Sequence, residues 1–154
     1  MGIYKVKGGD MAFFTIFPLL VVPVIIYNVI AWSGATFTSA QAVRDRLNED
    51  FLYVPMASGS TWTITPGHAL VCLGLLTLFF ELLKSTGIGR AAIVNHAFSM
   101  VLFIICLIEF LMLDAFATSV FFLITLMCLL DVMAGFIVTL AAARRDIGVI
   151  GAGD

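Results

Sequence analysis

Two carboxylates stand inside long apolar runs of this sequence, and their chemistry is the first clue to what the chain does. Glu109 interrupts MVLFIICLIEFLML, and Asp131 interrupts VFFLITLMCLLDVMAGFIVTL. A membrane-spanning helix needs about 20 apolar residues; the second run is long enough by itself, and the first is long enough together with the residues before it, from position 92. An acid in hydrocarbon is costly and is by default a candidate functional residue. The chemistry open to such acids is proton binding, proton relay or ion coordination.

Other ionisable side chains extend this pair into a series that crosses the whole predicted bilayer. At about 1.5 Å per helical residue, the depth order from the outer face is His68 and Asp114, then Glu109, then Asp131, and finally Glu81 and His96. The same estimate offsets Glu109 and Asp131 by about 10 Å in depth, which argues against a direct dyad.

The composition identifies the environment in which these acids must be placed. The chain has 154 residues, enough for a single domain, and 62% of them are hydrophobic. Only 12% are charged, against roughly a quarter in soluble proteins, and the mean hydropathy is +1.12. An integral membrane protein that contacts the lipid bilayer is therefore predicted. The net charge of -2 gives no basic surface for nucleic acid.

Four membrane spans are predicted, which makes the fold an all-α, four-helix transmembrane bundle. They cover residues 11–33, 66–84, 92–113 and 119–143. In the first span, Pro18 and Pro23 predict a kink or an unwound turn. Its apolar run exceeds the 7–15 residues of a signal-peptide core, so we interpret it as retained, with a cleaved signal peptide as the alternative. Thr65 and Pro66 are a typical helix start for the second span.

The basic residues predict the orientation of the bundle. Positively charged loops normally face the cytoplasm, and an orientation with both termini inside places six of the eight basic residues there, namely Lys5, Lys7, Lys84, Arg90, Arg144 and Arg145. The predicted location is a bacterial inner membrane with cytoplasmic termini.

The long outer loop, residues 34–65, is predicted to carry a short amphipathic helix. After Ser39, the segment AQAVRDRLNEDFLYV places Val43, Leu47, Phe51 and Val54 at helical spacing. Such a helix lies on the outer membrane surface or caps the bundle. Gly59 follows in a turn context.

Small and polar residues recur on single faces of the last three spans. Membrane helices use such residues for close packing, and the predicted packing positions are Gly67, Gly74, Thr77, Cys128, Gly135 and Thr139. Cys72, Cys106 and Cys128 form no paired motif, so no disulfide framework and no metal site are predicted.

Two functional hypotheses follow from these small, polar helix faces and from the acids inside the spans. The first is a non-enzymatic structural or accessory subunit, in which neutral, hydrogen-bonded acids fix helix packing and the small, polar faces dock a partner chain or further copies. The alternative is an oligomeric proton or ion conductor that uses Glu109 and Asp131. One haem bound by His68 and His96 is disfavoured because they lie at opposite faces, and no cofactor is predicted. No catalytic motif supports an enzyme built on His68 and Asp114.

Overall fold

The computed structural model describes residues 16–33, 39–85 and 90–150, and this part of the chain is mostly helical. In chain order the elements are α1 (Val21–Trp32), α2 (Ala40–Leu47), β1 (Leu52–Pro55), β2 (Thr61–Ile64), α3 (Pro66–Ser85), α4 (Arg90–Met112), a short 3-10 turn (Asp114–Phe116) and α5 (Ser119–Ile150).

Three helices are long and apolar enough to cross a membrane. They are α3, α4 from Ala92 to Met112, and α5 from Ser119 to Ala141. Large apolar side chains on them face outward, including Leu76, Leu111 and Ile137, which are 59%, 67% and 60% exposed. Exposed apolar surface on this scale is unfavourable in water and is the normal outer surface of a protein in lipid. This indicates membrane integration, as the composition predicts.

The first predicted span contains a break. Ile16 is helical, Phe17–Leu20 form a bend and a turn, and α1 then begins at Val21. Pro18 lies in the break, whereas Pro23 falls in the first turn of α1, where its missing N–H costs no helical bond. The predicted unwound turn is thus confirmed. Residues 11–15 of this span, with Lys5 and Lys7, lie outside the described residues, as do the side chains of Arg90, Arg144 and Arg145.

The last helix is the centre of the bundle. The α5 helix packs along both α3 and α4, which have little contact with each other, while α1 packs mainly against α3. The core near the start of α5 is aromatic: the ring of Phe121 lies 4.6 Å from that of Tyr27 and 4.8 Å from that of Phe116, centroid to centroid. All three rings are at most 1% exposed.

The loop between α1 and α3 differs in part from the prediction. The α2 helix begins after Ser39, whose Oγ accepts a hydrogen bond from Ala42 N, and it buries Val43 and Leu47 against the bundle. The predicted helix from residue 40 to residue 54 is wrong in its second half, because it ends at Leu47.

A β-hairpin replaces the second half of that helix. β1 pairs antiparallel with β2, with Val54 opposite Trp62. The turn between the strands places Gly59 at a φ of +84°, a conformation that glycine adopts without strain. Alternating aromatic and β-branched residues on both sides of such a turn favour strands over a helix.

Candidate functional site

The most extensively bonded acid in the described chain is Glu81, at the end of α3. Its side chain is fully buried, with 0% exposure. Oε2 accepts a hydrogen bond from the backbone N–H of Leu19 at 2.8 Å, and Oε1 accepts one from Asn95 Nδ2 on α4. Lys84 Nζ lies 3.1 Å from Oε2, an ion pair at the i, i+3 spacing of neighbours on one helix face. We call Glu81, Lys84 and Asn95 the Glu81 cluster.

Lys84 completes this cluster by binding the other side of the break in the first span. Its ammonium donates to the carbonyl oxygen of Phe17 at 2.8 Å and to Asn95 Oδ1 at 3.4 Å. A break at Pro18 leaves backbone groups without helical partners, and such groups must be satisfied inside the protein when water is absent. The ion pair therefore satisfies backbone groups of both kinds at the break: Glu81 accepts the N–H of Leu19, and Lys84 donates to the C=O of Phe17.

Asp131 of α5 lies beside the Glu81 cluster, one helical turn before Gly135. It is 3% exposed, faces Ser99 of α4, and lies within electrostatic range of Glu81, Lys84 and His96. Among the described residues, neither Asp131 Oδ2 nor Ser99 Oγ has a hydrogen-bond partner. Helical rise predicts a separate depth for Asp131, between Glu109 and Glu81, whereas the structure places it within electrostatic range of Glu81 and Lys84.

His96 packs directly on the backbone of α5. A Cβ atom added at Gly135 would lie only 2.2 Å from His96 Nδ1. Glycine at this position therefore lets an imidazole ring fit between α4 and α5. The His96 side chain is partly buried.

Glu109 belongs to a second polar group, which we call the Tyr27 cluster: Tyr27, Asn28, Glu109 and Thr118. Tyr27 Oη donates to Ala115 O at 3.1 Å and is 2.6 Å from Thr118 Oγ1. Asn28 Nδ2 donates to Glu109 Oε2 at 3.4 Å. Glu109 and Asp131 therefore have different neighbours on different helices.

A layer of apolar and thiol side chains separates the two clusters. Cys106 and Ile124 are fully buried, Cys128 is 1% exposed and Leu102 is 7% exposed. Thr125 also lies in this layer, but its hydroxyl donates to the carbonyl of Phe121 in its own helix at 2.9 Å. Ser99 and Glu109, which border the layer on α4, are about 15 Å apart along the helix axis. No described ionisable group bridges this gap except the two buried thiols.

The remaining ionisable candidates, His68 and Asp114, act in helix capping. Thr65 Oγ1 accepts the N–H of His68 at 3.2 Å, and His68 Nδ1 accepts the N–H of Thr65 at 3.3 Å, which is a reciprocal cap of α3. Asp114 Oδ2 accepts the N–H of Ala40 at 2.9 Å and so holds the start of α2.

The predicted packing residues separate into two groups. A Cβ at Gly67 would meet Leu47 O at 3.0 Å, and one at Gly74 would meet Met127 Sδ at 2.8 Å, so these glycines, like Gly135, mark close helix contacts. Cys128 is buried beside Cys106. Thr77 and Thr139 differ from these residues, because each hydroxyl bonds to a carbonyl of its own helix. Thr77 is partly buried, and Thr139 is exposed.

The acids themselves could be identified from the sequence, whereas most of the residues in hydrogen-bond contact with them could not. Asn95, Asn28 and Tyr27 each hold a central place in a cluster. The available signal was Pro18, because a break in a membrane helix requires polar partners nearby.

In the loop between α1 and α3, the Asp50 carboxylate accepts a hydrogen bond from Tyr53 Oη at 2.7 Å and so raises the pKa of this exposed phenol above its ordinary value.

Within the described ranges, no group of three or more His, Cys, Asp or Glu side chains has the arrangement needed to hold a metal ion. Comparison with protein-family models, with curated proteins and with solved structures finds no match to this chain. Its function must therefore be inferred from the geometry of the two clusters and the surfaces around them.

Proposed function

We propose that this chain is a non-enzymatic polytopic membrane protein that acts as a structural or accessory subunit and associates with other membrane chains. The observation that carries the proposal is the contrast between a largely satisfied interior and uncovered flanks. The polar side chains of the Glu81 and Tyr27 clusters have hydrogen-bond partners on neighbouring segments of the chain, as groups that fix helix positions do. The outward surfaces are apolar and extensive.

The proposed membrane arrangement has four spans with both termini in the cytoplasm of a bacterial inner membrane. The broken segment before α1, together with α1, would supply the additional crossing. The distribution of Lys and Arg supports this orientation, and it places α2 and the β-hairpin outside. The buried apolar stripe of α2 supports a cap over the bundle.

The small residues predicted to dock a partner, Gly67, Gly74 and Gly135, contact side chains of the same bundle, so we propose the face of α4 as the docking surface instead. Only 22% of the most apolar window of α4 is buried, against 28% for α3 and 39% for α5. Ile104 and Ile108 are 50% and 55% exposed and lie one turn apart, on one face. Without a hydrophobic driving force between helices in lipid, such a face binds a partner through close packing.

Site-specific photo-crosslinking in native membranes tests this proposal. A photoreactive residue at Ile104 or Ile108 should cross-link to one defined chain, which mass spectrometry then identifies. The matched control is Leu102 on the same helix, which is 7% exposed and should give only products within the chain. Cross-links from Ile104 and Ile108 to lipid alone would reject α4 as the docking surface.

A second candidate function, proton or ion conduction by an oligomer, is favoured by one observation. Asp131 is a buried acid inside a candidate membrane span, the residue type that proton relays use, and its Oδ2 has no partner among the described residues. The apolar and thiol layer opposes this candidate, because a path through one chain would have to cross it.

Proteoliposome flux distinguishes the two functions. A conductor should leak more than empty liposomes, and Glu109→Gln and Asp131→Asn should abolish that leak if the acids must ionise. An accessory subunit should leak no more than empty liposomes, and Glu109→Gln should preserve its assembly because the amide remains a hydrogen-bonding group.

A further inference from the structure

The strongest unexplained feature of the bundle is the facing pair Asp131 and Ser99. Both are at least nine-tenths buried, with 3% and 2% exposure, and each carries an oxygen without a hydrogen-bond partner in the described chain. Buried polar atoms are nearly always paired, so an unpaired pair requires an explanation.

The charges around Asp131 show what could balance an ionised carboxylate there. From α3, the facing groups are Glu81 and Lys84. The ammonium of Lys84 already bonds to Glu81, Phe17 O and Asn95 Oδ1. An ammonium has three donors, so none remains for Asp131.

The other packed helices supply little more. From the described side chains of α4, the titratable group that acts on Asp131 is His96, and its ring is packed on Gly135. From α1, the titratable group is Tyr27, which is bonded to Thr118 more than three helical turns before Asp131, roughly 20 Å away. Among the described side chains, an ionised Asp131 would thus face Glu81, a second acid, without a cation of its own.

We propose that Asp131 and Ser99 form a proton-binding site, in which Asp131 is a neutral acid at neutral pH and donates its proton in a hydrogen bond to Ser99 Oγ. The ligand is a single proton, and the bond joins α4 to α5 without a buried charge. It satisfies the Ser99 oxygen, and it leaves the Glu81–Lys84 pair electrically balanced. This site is independent of whether the chain is an accessory subunit or a conductor.

Infrared absorption of the purified full chain in lipid nanodiscs at neutral pH tests the site. A protonated carboxyl group gives a carbonyl band that is separate from the bands of carboxylates. This band should be present, should shift when the protein contains aspartate with a ¹³C-labelled carboxyl group, and should be lost in Asp131→Asn. Ser99→Ala should retain the band at a changed frequency, because it removes the acceptor.

Two matched variants identify the acid. Glu109→Gln and Asp114→Asn should both retain the aspartate band. The proposal is overturned if labelled aspartate does not shift an acid band, or if the shifted band survives in Asp131→Asn. Should Asp131→Asn fail to fold, the ¹³C-labelled chain with Ser99→Ala decides the result: a changed frequency of the labelled acid band supports the site, and an unchanged frequency overturns it.

Discussion

At the scale of single residues, most of the acids that the structure describes have a bonding partner in the same chain. Glu81 is the extreme case, because one buried carboxylate bonds to the backbone of the broken first span, to α4 and to Lys84. A carboxylate with this many partners fixes the positions of three segments at once.

Removing the Glu81 carboxylate should destabilise the fold strongly. Loss of one partner of a buried ion pair typically costs about 3–5 kcal/mol, and because Lys84 is 21% exposed and reaches solvent, we expect about 2–3 kcal/mol for Glu81→Ala. The measurement is reversible unfolding in mixed micelles. Glu49→Ala, at an exposed acid between α2 and β1, should leave the unfolding free energy unchanged. Equal effects of the two variants would contradict a structural role for Glu81.

A methyl group at Gly135 should disrupt the packing of α4 on α5. The ring of His96 blocks the added Cβ at 2.2 Å, so Gly135→Ala should cost about 1–3 kcal/mol, as overpacking usually does. Gly74→Ala is the comparison, because its added Cβ meets the flexible Met127 side chain and should cost less. In a double-mutant cycle, His96→Ala should recover part of the loss from Gly135→Ala. Strict additivity would show that the two residues are not in contact.

The sequence was sufficient to identify the buried acids as candidate functional residues, but it was not sufficient to predict their hydrogen-bond partners. The Glu81–Lys84 pair follows from a spacing within one helix. The bonds to Phe17, Leu19 and Asn95 join positions that are far apart in the chain. Periodicity contains no information about which remote groups meet, so only the packed bundle reveals them.

At the scale of elements, local sequence determined where helices begin more reliably than where they end. Thr65 and Ser39 cap α3 and α2 as predicted. The spacing of Phe51 and Val54 fits a helix. In the structure, however, Val54 lies in β1 and Phe51 directly precedes it, because the turn at Gly59 pairs β1 with β2. Strand pairing is non-local, and it prevails over the weak propensity of a short helix.

The docking of α2 on the bundle depends on its buried stripe. Val43 is fully buried and Leu47 is 2% exposed, so Val43→Asp places an unpaired charge in the contact and should release α2. Trypsin cleavage after Arg44 and Arg46 should then be at least about tenfold faster, because a released helix opens locally. Gln41→Asp, on the exposed face of the same helix, is the matched control. Unchanged cleavage of Val43→Asp would mean that α2 is not held by this stripe.

At the scale of the whole molecule, the chain joins two polar clusters through an apolar middle and exposes apolar flanks to its surroundings. Composition and hydropathy were sufficient to predict membrane integration and the three long helices. They were insufficient to predict which acids share a cluster, because depth estimated along a helix does not report the contacts between helices. The grouping of Asp131 with Ser99 and His96 is the clearest example.

The separation of the clusters also predicts the permeability of the molecule. With the layer of Leu102, Cys106, Ile124 and Cys128 intact, purified wild-type protein in liposomes should show no proton leak above that of empty liposomes. A leak that disappears in Asp131→Asn would instead establish conduction.

The mass of the intact assembly, released from its own membrane in mild detergent, tests the accessory-subunit proposal most directly. We expect a stoichiometric complex between this chain and at least one different membrane protein. A bulky Ile104→Trp substitution should weaken that complex, and the same substitution at Ile137 on α5, which is 60% exposed, should not. A chain that is released alone, or as a closed ring of identical copies, would contradict the proposal.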